Sequence, residues 1–396
     1  MSRFHSYINS AKKLIETYRG EKPFAIFLKQ FFAANKKYGS KDRRFISALC
    51  YNYFRMGFAI SNMAVEEKLL VATFLCEKKS SELISHLKPE WAEKISLSLS
   101  EKLVAIDQGF FINDIFPFKD ELSDGIDTAE FCKSLLVQPD LFIRLRPEVK
   151  TAVLKKLEKS QLYFQLADED CVRLNISENI EDFFEIDKEV VVQDYNSQKV
   201  FDYLKNGGLQ NDFLPGTQKA DLSVWDCCAA SGGKSILLKD IVNAKMQLTV
   251  SDIRPGIILN LHQRFKKAGL KEYKYFIADI SSTDFDPGQL FFDMIVCDAP
   301  CSGSGTWSRT PEQLCFFQQP SIEEYSNLQK KIIDNILPRL RKGGLFIYIT
   351  CSVFKNENEA IAAYIAERFN CTLMQMQLLK GYDKKADNMF VAVFRK

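Results

Sequence analysis

The sequence predicts an α/β protein in which a parallel sheet, covered on both faces, forms the C-terminal half. From residue 221 on, apolar runs that suit buried strands alternate with amphipathic helical segments. This alternation is typical of a parallel sheet with helices on both sides. Before about residue 141, apolar positions recur only at helical spacing. The 396 residues suffice for two or three domains.

Residues 1–132 are predicted to form an all-helical domain. Ser40 fits the N-cap of one helix, and Phe45, Ile46 and Leu49 follow it at the spacing of a single apolar helix face. We expect this domain to fold around its many Phe and Tyr side chains.

A basic segment lies inside this helical domain. Residues 1–58 hold 12 Lys and Arg but only 3 Asp and Glu. Aromatic residues are interleaved with the basic ones, and this combination suits a nucleic-acid phosphate backbone. The alternative is a solvated basic face over a Phe-rich helical core. The candidate RNA-binding residues here are Lys36, Lys37, Lys41, Arg43 and Arg44.

Residues 133–210 are predicted to form a small α+β subdomain that precedes the core at residues 211–396. Residues 141–146 alternate in polarity like a strand that stops at Pro147, and residues 150–159 have a helical pattern. Mixed short elements of this kind indicate a unit distinct from both its neighbours.

Cysteine and histidine usage argues against a metal centre. The eleven cysteines include no Cys-x-x-Cys pair, and there are only three histidines. No apolar run reaches the roughly 18 residues of a membrane span, and the N-terminus lacks the apolar stretch of a secretion signal. We therefore expect a cytoplasmic monomer with reduced thiols, no bound metal and no membrane contact.

Glycine and carboxylate residues follow successive strands of the predicted core. Ligands of such sheets bind at the carboxyl ends of strands, so a glycine-containing loop and two strand-end carboxylates, Asp252 and Asp279, describe an adenosine site. The alternatives are ordinary helix caps, or a phosphate-binding P-loop, whose first glycine is replaced by Cys228. The loop consists of Cys228, Ala229, Ala230, Ser231, Gly232, Gly233 and Lys234.

Two cysteines follow the next two strands. Cys301 comes shortly after Asp298 at the end of the fourth strand, and Cys351 follows the fifth. Methylation of C5 of cytosine needs such groups, because a thiolate must add to C6 while a carboxylic acid at N3 absorbs the charge. S-adenosylmethionine would be the adenosine-bearing methyl donor. A lone cysteine is more often core packing, but two at adjacent strand ends favour this chemistry.

Several separated motifs resemble those of the Nol–Nop–Sun family of RNA 5-methylcytosine methyltransferases. In chain order they are Cys228-Ala-Ala-Ser-Gly-Gly-Lys-Ser, Asp298-Ala-Pro-Cys-Ser-Gly-Ser-Gly, Arg309-Thr-Pro-Glu, Thr350-Cys-Ser and Asp387-Asn-Met-Phe. The resemblance implies a Rossmann-like S-adenosylmethionine-dependent methyltransferase core. Ser231 departs from the proline usual in the family, and we expect this change to loosen the loop.

The resemblance also implies residue roles. Cys351 is the nucleophile at C6, Cys301 helps to release the product, and Asp298 contacts the cytosine edge near the cofactor. DNA cytosine methyltransferases instead use the cysteine of a Pro-Cys motif, which would make Cys301 the nucleophile. The residues implied to bind S-adenosylmethionine are the segment from Cys228 to Lys234, Asp252, Asp279 and Asp298.

The segment from Ser40 to Arg55 resembles the NusB-like helical domain that precedes the core in bacterial ribosomal RNA methyltransferases of this family. This likeness favours the RNA-binding interpretation of the basic segment, and Arg309 is a further candidate contact. We therefore expect methylation of 16S ribosomal RNA. The alternatives are a transfer RNA methyltransferase, a catalytically silent RNA-binding assembly factor and a small-molecule methyltransferase.

Overall fold

The structure, a computed structural model, describes residues 3–79, 81–106, 110–175, 179–207, 221–242 and 245–396. Within these ranges no helix is both long enough and apolar enough to cross a membrane. The contacts divide the chain into two compact units. The first comprises Met1–Asp120, Ile126–Pro139 and Thr306–Gln319, and the second comprises Glu121–Gly125, Asp140–Gly305 and Pro320–Lys396.

The first unit is built from helices packed around aromatic side chains. Tyr18 and Phe54 each pack against Phe24 with ring centroids 4.9 Å apart, and all three are buried. In the described part of the chain no strand precedes Leu141, as the helical spacing predicts. The helices before that residue are α1 (Arg3–Thr17), α2 (Phe24–Ala34), α3 (Ser40–Arg55), α4 (Val65–Cys76), α5 (Glu82–Leu87), α6 (Pro89–Ala92), α7 (Leu99–Ile106) and α8 (Thr128–Leu135).

The second unit contains two sheets, of which the smaller comes first in the chain. Its elements are β1 (Leu141–Leu145), α9 (Lys150–Lys159), β2 (Phe164–Asp168), β3 (Cys171–Leu174) and β4 (Val190–Val192). The strands lie in the order β2-β3-β1-β4, and every pair is antiparallel. The domain boundaries at residues 132 and 210 remain predictions, and residue 210 lies outside the described residues.

The larger sheet has seven strands in the order β10-β11-β9-β8-β5-β6-β7. Its elements are β5 (Leu222–Asp226), α10 (Gly233–Ile241), β6 (Met246–Asp252), α11 (Pro255–Ala268), β7 (Tyr273–Ile277), β8 (Phe292–Asp298), α12 (Pro311–Phe316), α13 (Pro320–Ile336), β9 (Leu340–Thr350), α14 (Glu359–Phe369), β10 (Thr372–Leu379) and β11 (Met389–Arg395). Neighbours from β7 to β9 run parallel, and only β11 is antiparallel to both its neighbours. The predicted α/β fold class is confirmed. The strand order reverses beside β5, which opens a crevice at the strand ends.

Two hydrophobic layers cover the faces of this sheet. Val224 of β5 packs with side chains of α10 and α11, whereas the adjacent Trp225 packs with side chains of α13 and α14. Both residues are fully buried. Because both faces are covered, the central strands are nearly continuous apolar runs instead of alternating sequences.

The segment Thr306–Gln319, which contains α12, belongs to the first unit although sequence motifs of the core flank it. Arg55 is one anchor of this segment. It is 3% exposed, and its Nη1 donates to the carbonyl oxygens of Leu135 and Ser308 at 2.9 and 2.8 Å. Arg55 therefore ties together two segments of this unit and does not extend the exposed basic surface.

The turn between β5 and α10 depends on a glycine. Gly232 has a φ of 82°, and a Cβ added there would lie 2.4 Å from the ring of Phe265 and 3.1 Å from Leu261. Both side chains belong to α11, which therefore packs directly against the turn. At the next residue, Gly233, the nearest atom to an added Cβ is Arg264 Nη1 at 3.6 Å, so a side chain fits there.

A buried carboxyl group lies at the end of β5. Asp226 is 1% exposed, and its Oδ2 accepts a hydrogen bond from Ser235 Oγ at 2.6 Å. Its Oδ1 has no hydrogen-bond partner among the described residues. Burial raises the pKa of Asp226 to about 7, against the opposing effect of the Ser235 hydrogen bond. A proton on this carboxyl lowers the cost of keeping an unpartnered oxygen away from water.

We predict that Gly232→Ala destabilises the protein by about 2 to 4 kcal/mol, because it adds a left-handed-backbone penalty to a clash with Phe265. Urea denaturation measures the free energy of unfolding. Gly233→Ala is the matched control and should leave that free energy almost unchanged. Equal effects of the two substitutions would contradict the packing described for Gly232.

We predict that Asp226 makes the protein less stable as the pH rises from about 4 to 7. In this window the folded carboxyl, with a pKa of about 7, keeps a proton that the unfolded chain, with a pKa near 3.8, has lost. The free energy of unfolding should therefore fall by up to about 1.4 kcal/mol per pH unit. Asp226→Asn should remove this slope in denaturation curves measured across the window. An unchanged slope would mean that Asp226 already ionises near its ordinary pKa.

Candidate active site

The loop from Cys228 to Lys234 follows β5 at the crevice. The backbone N–H groups of Cys227 and Ala229 donate to carbonyl oxygens of β8 and β6, each at 2.9 Å, so both neighbouring strands hold the loop. Ala230 has a φ of 46°, a left-handed conformation that is uncommon outside glycine. Backbone strain held in place by its surroundings is found preferentially at functional sites.

Ser231 is firmly anchored, which differs from the looser loop expected when a serine replaces proline. Arg264 Nη1 donates to Ser231 Oγ at 2.9 Å and to its carbonyl oxygen at 3.2 Å. The same guanidinium also forms a salt bridge with Asp187, whose Oδ1 lies 2.7 Å from Arg264 Nη2. The Ser231 hydroxyl thus holds the loop through a hydrogen bond, whereas a proline would hold it by restricting the backbone.

The carboxylate of Asp252 is already fully engaged in this structure. Oδ1 accepts from the backbone N–H and the Nε of Arg254, at 3.0 and 2.9 Å. Oδ2 accepts from the N–H of Ala230 and the Nη2 of Arg254, both at 3.0 Å. Burial opposes ionisation, but these donors outweigh it and lower the pKa of Asp252. Because a carboxylate has about four acceptor positions, another donor must displace Arg254.

Asp279 is exposed just beyond the end of β7. Its Oδ1 accepts from the N–H and the hydroxyl of Ser281 at 3.0 and 2.6 Å, as a local cap would. It also lines an open cavity of about 630 Å³ with Phe276 and Phe285. An aromatic cavity beside a carboxylate suits a flat, amino-bearing ring.

Asp298 and Lys234 form a close ion pair at the end of β8. Lys234 Nζ lies 2.5 Å from Asp298 Oδ2. Burial disfavours the charged amine, but the attraction of Asp298 outweighs burial and raises the pKa of Lys234. Lys234 is therefore held in its ammonium form beside Asp298.

The two cysteines that follow β8 and β9 meet in the crevice. The Sγ atoms of Cys301 and Cys351 lie 3.5 Å apart, and both residues are half-buried. The hydrogen bond with Cys351, followed by burial, raises the pKa of Cys301 well above its ordinary value. Both effects favour the S–H form of Cys301. Because the thiolate is the reactive form of a cysteine, this raised pKa makes Cys301 a weak nucleophile.

Three further thiols converge beside the loop. The sulfur atoms of Cys227, Cys228 and Cys297 all lie within 4.8 Å of one another. Cys227 and Cys297 are buried in a hydrophobic layer, whereas Cys228 is half-buried. Sequence spacing does not reveal this set, because Cys297 comes from the neighbouring strand. The absence of a bound metal remains a prediction.

The RNA-binding candidates of the helical unit surround the connection between α2 and α3. Four of them are exposed: Lys36, Lys37, Lys41 and Arg44. Arg43 is half-buried, and its Nε donates to the carbonyl oxygen of Tyr38 at 2.8 Å. Arg309 is half-buried within Thr306–Gln319. Contact between these residues and RNA remains a prediction.

Sequence reasoning missed three residues that shape the site, namely Arg254, Arg264 and Glu357. A contact between Arg254 and Asp252 could have been suspected, because the two residues lie only two positions apart in the sequence. Arg264 acts on Ser231 and Glu357 acts on Ser302, across 33 and 55 residues of chain. No local pattern could have identified these two.

The larger sheet and its motifs match known proteins. Residues 216–393 match the family model described as 16S rRNA methyltransferase RsmB/F. Ribosomal RNA small subunit methyltransferase B of Enterobacter sp. (strain 638) is 32% identical over 190 residues, covering 46% of this chain and 40% of that protein. Ribosomal RNA small subunit methyltransferase F of Escherichia coli is 30% identical over 154 residues, covering 37% of this chain and 30% of that protein. The chain thus matches two fifths or less of the length of these curated relatives.

Solved structures share the fold. The crystal structure of PH0851 has a TM-score of 0.69 and 18% identity, and the match covers 98% of each chain. The structure of NSun6 from Pyrococcus horikoshii with SFG has a TM-score of 0.56 and 15% identity, covering 68% of this chain and 94% of that one. At these identities the likeness shows the fold alone.

The methyltransferase fold, the loop after β5 and the matched family model agree with one another. The predicted resemblance and the predicted cofactor are confirmed. Over residues 216–393 the chain is thus similar to the RsmB/F family of methyltransferases, whose cofactor is S-adenosylmethionine.

Proposed function

We propose that this chain methylates C5 of a cytosine in RNA through a transient bond between Cys351 Sγ and C6. The 3.5 Å approach of the Cys301 and Cys351 sulfur atoms carries the proposal. Two thiols at this distance, close to a carboxylate–ammonium pair, provide the nucleophile and the acid that covalent activation of a pyrimidine requires.

Cys351 is the nucleophile in this mechanism. The raised pKa of Cys301 favours an S–H group there, and that donor stabilises negative charge on Cys351. Lys234 also attracts negative charge on Cys351, and this attraction is one of the causes that raise the pKa of the Lys234 amine. Both effects favour Cys351 over Cys301, in contrast to the DNA-methyltransferase alternative.

Attack by Cys351 forms the S–C6 bond, and N3 takes up the proton of the Lys234–Asp298 pair. The resulting enamine is nucleophilic at C5. Bound S-adenosylmethionine supplies an electrophilic methyl group at that carbon. The C5 proton then passes to solvent water, and the C6–S bond breaks with its electron pair returning to Cys351. The S–H group of Cys301 stabilises the departing thiolate, and N3 returns its proton to the pair.

The residues around the crevice fit S-adenosylmethionine. The loop after β5 exposes backbone N–H groups at the start of α10, where a carboxylate group can bind. Asp252 is the acceptor for ribose hydroxyls once Arg254 gives way. Asp279 and the aromatic cavity beside it suit the adenine ring and its amino group. We assign cofactor binding to these residues, to Asp298 and to the loop from Cys228 to Lys234.

The proposed target is small-subunit ribosomal RNA. The family model is described as 16S rRNA methyltransferase, and both relatives are named for the small subunit. The basic surface of the helical unit suits phosphate contacts, to which we assign the six candidates. The thiol must reach C6 and the methyl donor must reach C5, and a base stacked within a helix covers both atoms. The cytosine must therefore be unpaired or flipped out.

We predict that Cys351→Ala abolishes methyl transfer, because no S–C6 bond can form. Cys301→Ala should instead accumulate a protein–RNA adduct that survives denaturing electrophoresis, since the departing thiolate loses its donor. Cys132→Ala, a buried thiol of the helical unit, is the control and should retain activity. Methylation of C5 by Cys351→Ala would show that the assigned nucleophile is wrong.

We predict opposite effects for the two residues of the Asp252–Arg254 pair on cofactor binding. Asp252→Ala should weaken S-adenosylmethionine affinity about tenfold or more, the cost of losing hydrogen bonds to a charged acceptor. Arg254→Ala should strengthen it severalfold, because Asp252 becomes available without displacement. Isothermal titration calorimetry measures both. Weaker binding by both variants would mean that Arg254 itself holds the cofactor.

A further inference from the structure

A buried polar cluster lies beneath the two cysteine-bearing segments. Its members are Ser302, Ser304, Ser352, Glu357 and Asn358, each 7% exposed or less. Buried polar groups are costly unless they are paired, so a cluster of five must be held together by its own hydrogen bonds.

Glu357 links the two segments directly. Its Oε2 accepts the backbone N–H of Ser302, the residue after Cys301, at 2.8 Å. Its Oε1 accepts the hydroxyl of Ser352, the residue after Cys351, at 2.7 Å. One carboxylate therefore fixes the distance between the residues that follow the two cysteines.

Side chains of α13 and β9 hold Glu357 in place. Gln329 Nε2 donates to Glu357 Oε2 at 3.2 Å and to the carbonyl oxygen of Pro300 at 2.9 Å. The carbonyl oxygen of Glu357 accepts the hydroxyl of Tyr348 at 2.7 Å. The residues on either side of Cys301 are therefore both linked to Glu357. Pro300 is linked through Gln329, and Ser302 is linked directly.

The three serine hydroxyls complete the connection. Ser302, Ser304 and Ser352 Oγ atoms lie 3.0 to 3.2 Å apart, and Ser304 Oγ also accepts the N–H of Val353 at 2.9 Å. Above them, the N–H of Gly305 donates to the carbonyl oxygen of Cys351 at 2.8 Å. The two segments thus share several hydrogen bonds, and Glu357 accepts one from each segment.

We propose that Glu357 is a positioning residue, whose carboxylate clamps the segments after Cys301 and Cys351 and thereby sets the 3.5 Å separation of their sulfur atoms. The effect of Glu357 on catalysis rests on the proposed function, whereas its effect on the distance between the sulfur atoms does not. The geometric claim can be tested in the protein without RNA.

The consequence for catalysis follows from the distance. The S–H group of Cys301 can stabilise the Cys351 thiolate only while the sulfur atoms remain in contact. Glu357→Gln keeps the size of the side chain but turns one acceptor into a donor. This N–H donor either opposes the N–H of Ser302 or makes the hydroxyl of Ser352 give up its present donation and turn round to accept. One segment should therefore shift away from the other.

The test is the rate at which diamide joins Cys301 to Cys351 in the full chain, followed by mass spectrometry of the linked peptides. Both thiols lose a proton and together two electrons, which reduce diamide to the hydrazine. Glu357→Gln should slow this cross-link about tenfold and lower kcat about a hundredfold, since a displacement of about 1 Å costs that much. The dissociation constant of S-adenosylmethionine should not change.

Glu359→Gln is the matched control. Glu359 lies two residues further on, is half-buried and accepts a hydrogen bond from Ser123 at 2.9 Å. Its replacement should leave the cross-linking rate and kcat as in the wild type. If Glu357→Gln fails to fold, Ser352→Ala removes one of the two bridging donors and should slow the cross-link to a lesser degree.

An unchanged cross-linking rate in Glu357→Gln would overturn the clamp, and a slower rate with unchanged kcat would overturn its catalytic consequence. If the wild-type chain shows no methyl transfer while Glu357→Gln still slows cross-linking, the proposed function fails but the geometric role of Glu357 holds. The two claims are therefore separable by experiment.

Discussion

The parallel pairing of β8 with β9 is the constraint on which the proposed chemistry depends. In their register Asp298 lies opposite Ile349, so both strands end at the same edge of the sheet. The chain leaves this edge twice, once towards Cys301 and once towards Cys351. A slip of one residue between the strands would turn their side chains to opposite faces and separate the two sulfur atoms. The hydrophobic layers on both faces are what prevent such a slip.

β5 divides the crevice into two functional halves. Its neighbour β6 carries Asp252 on the side that we assign to the cofactor, and its neighbour β8 carries Asp298 on the side of the two thiols. Lys234, at the start of the helix that follows β5, crosses to Asp298 and joins the halves. In the proposed mechanism, the loop assigned to the methyl donor therefore also supplies the ammonium that supports the nucleophile.

Much of this could be predicted from the sequence, because strand ends, glycine turns and strand-end carboxylates leave local patterns. The fold class, the loop after β5 and the nearness of the cysteines were accessible in this way. The contacts of Glu357 and Arg264 were not, since they depend on packing between distant segments. Glu312 is similar: it belongs to a core motif, yet it is buried in the helical unit, where it accepts the N–H of Phe24 at 3.2 Å.

The most direct test of the account identifies the sulfur atom that bonds to the base. Small-subunit ribosomal RNA transcribed with 5-fluorocytidine should trap the adduct, because fluorine cannot leave C5 as a proton does. After incubation with the chain and S-adenosylmethionine, nuclease and protease digestion followed by mass spectrometry locates the modified peptide. The account predicts a nucleotide on Cys351. A nucleotide on Cys301, or no covalent adduct with methylated RNA present in a parallel reaction with ordinary cytidine, would contradict it.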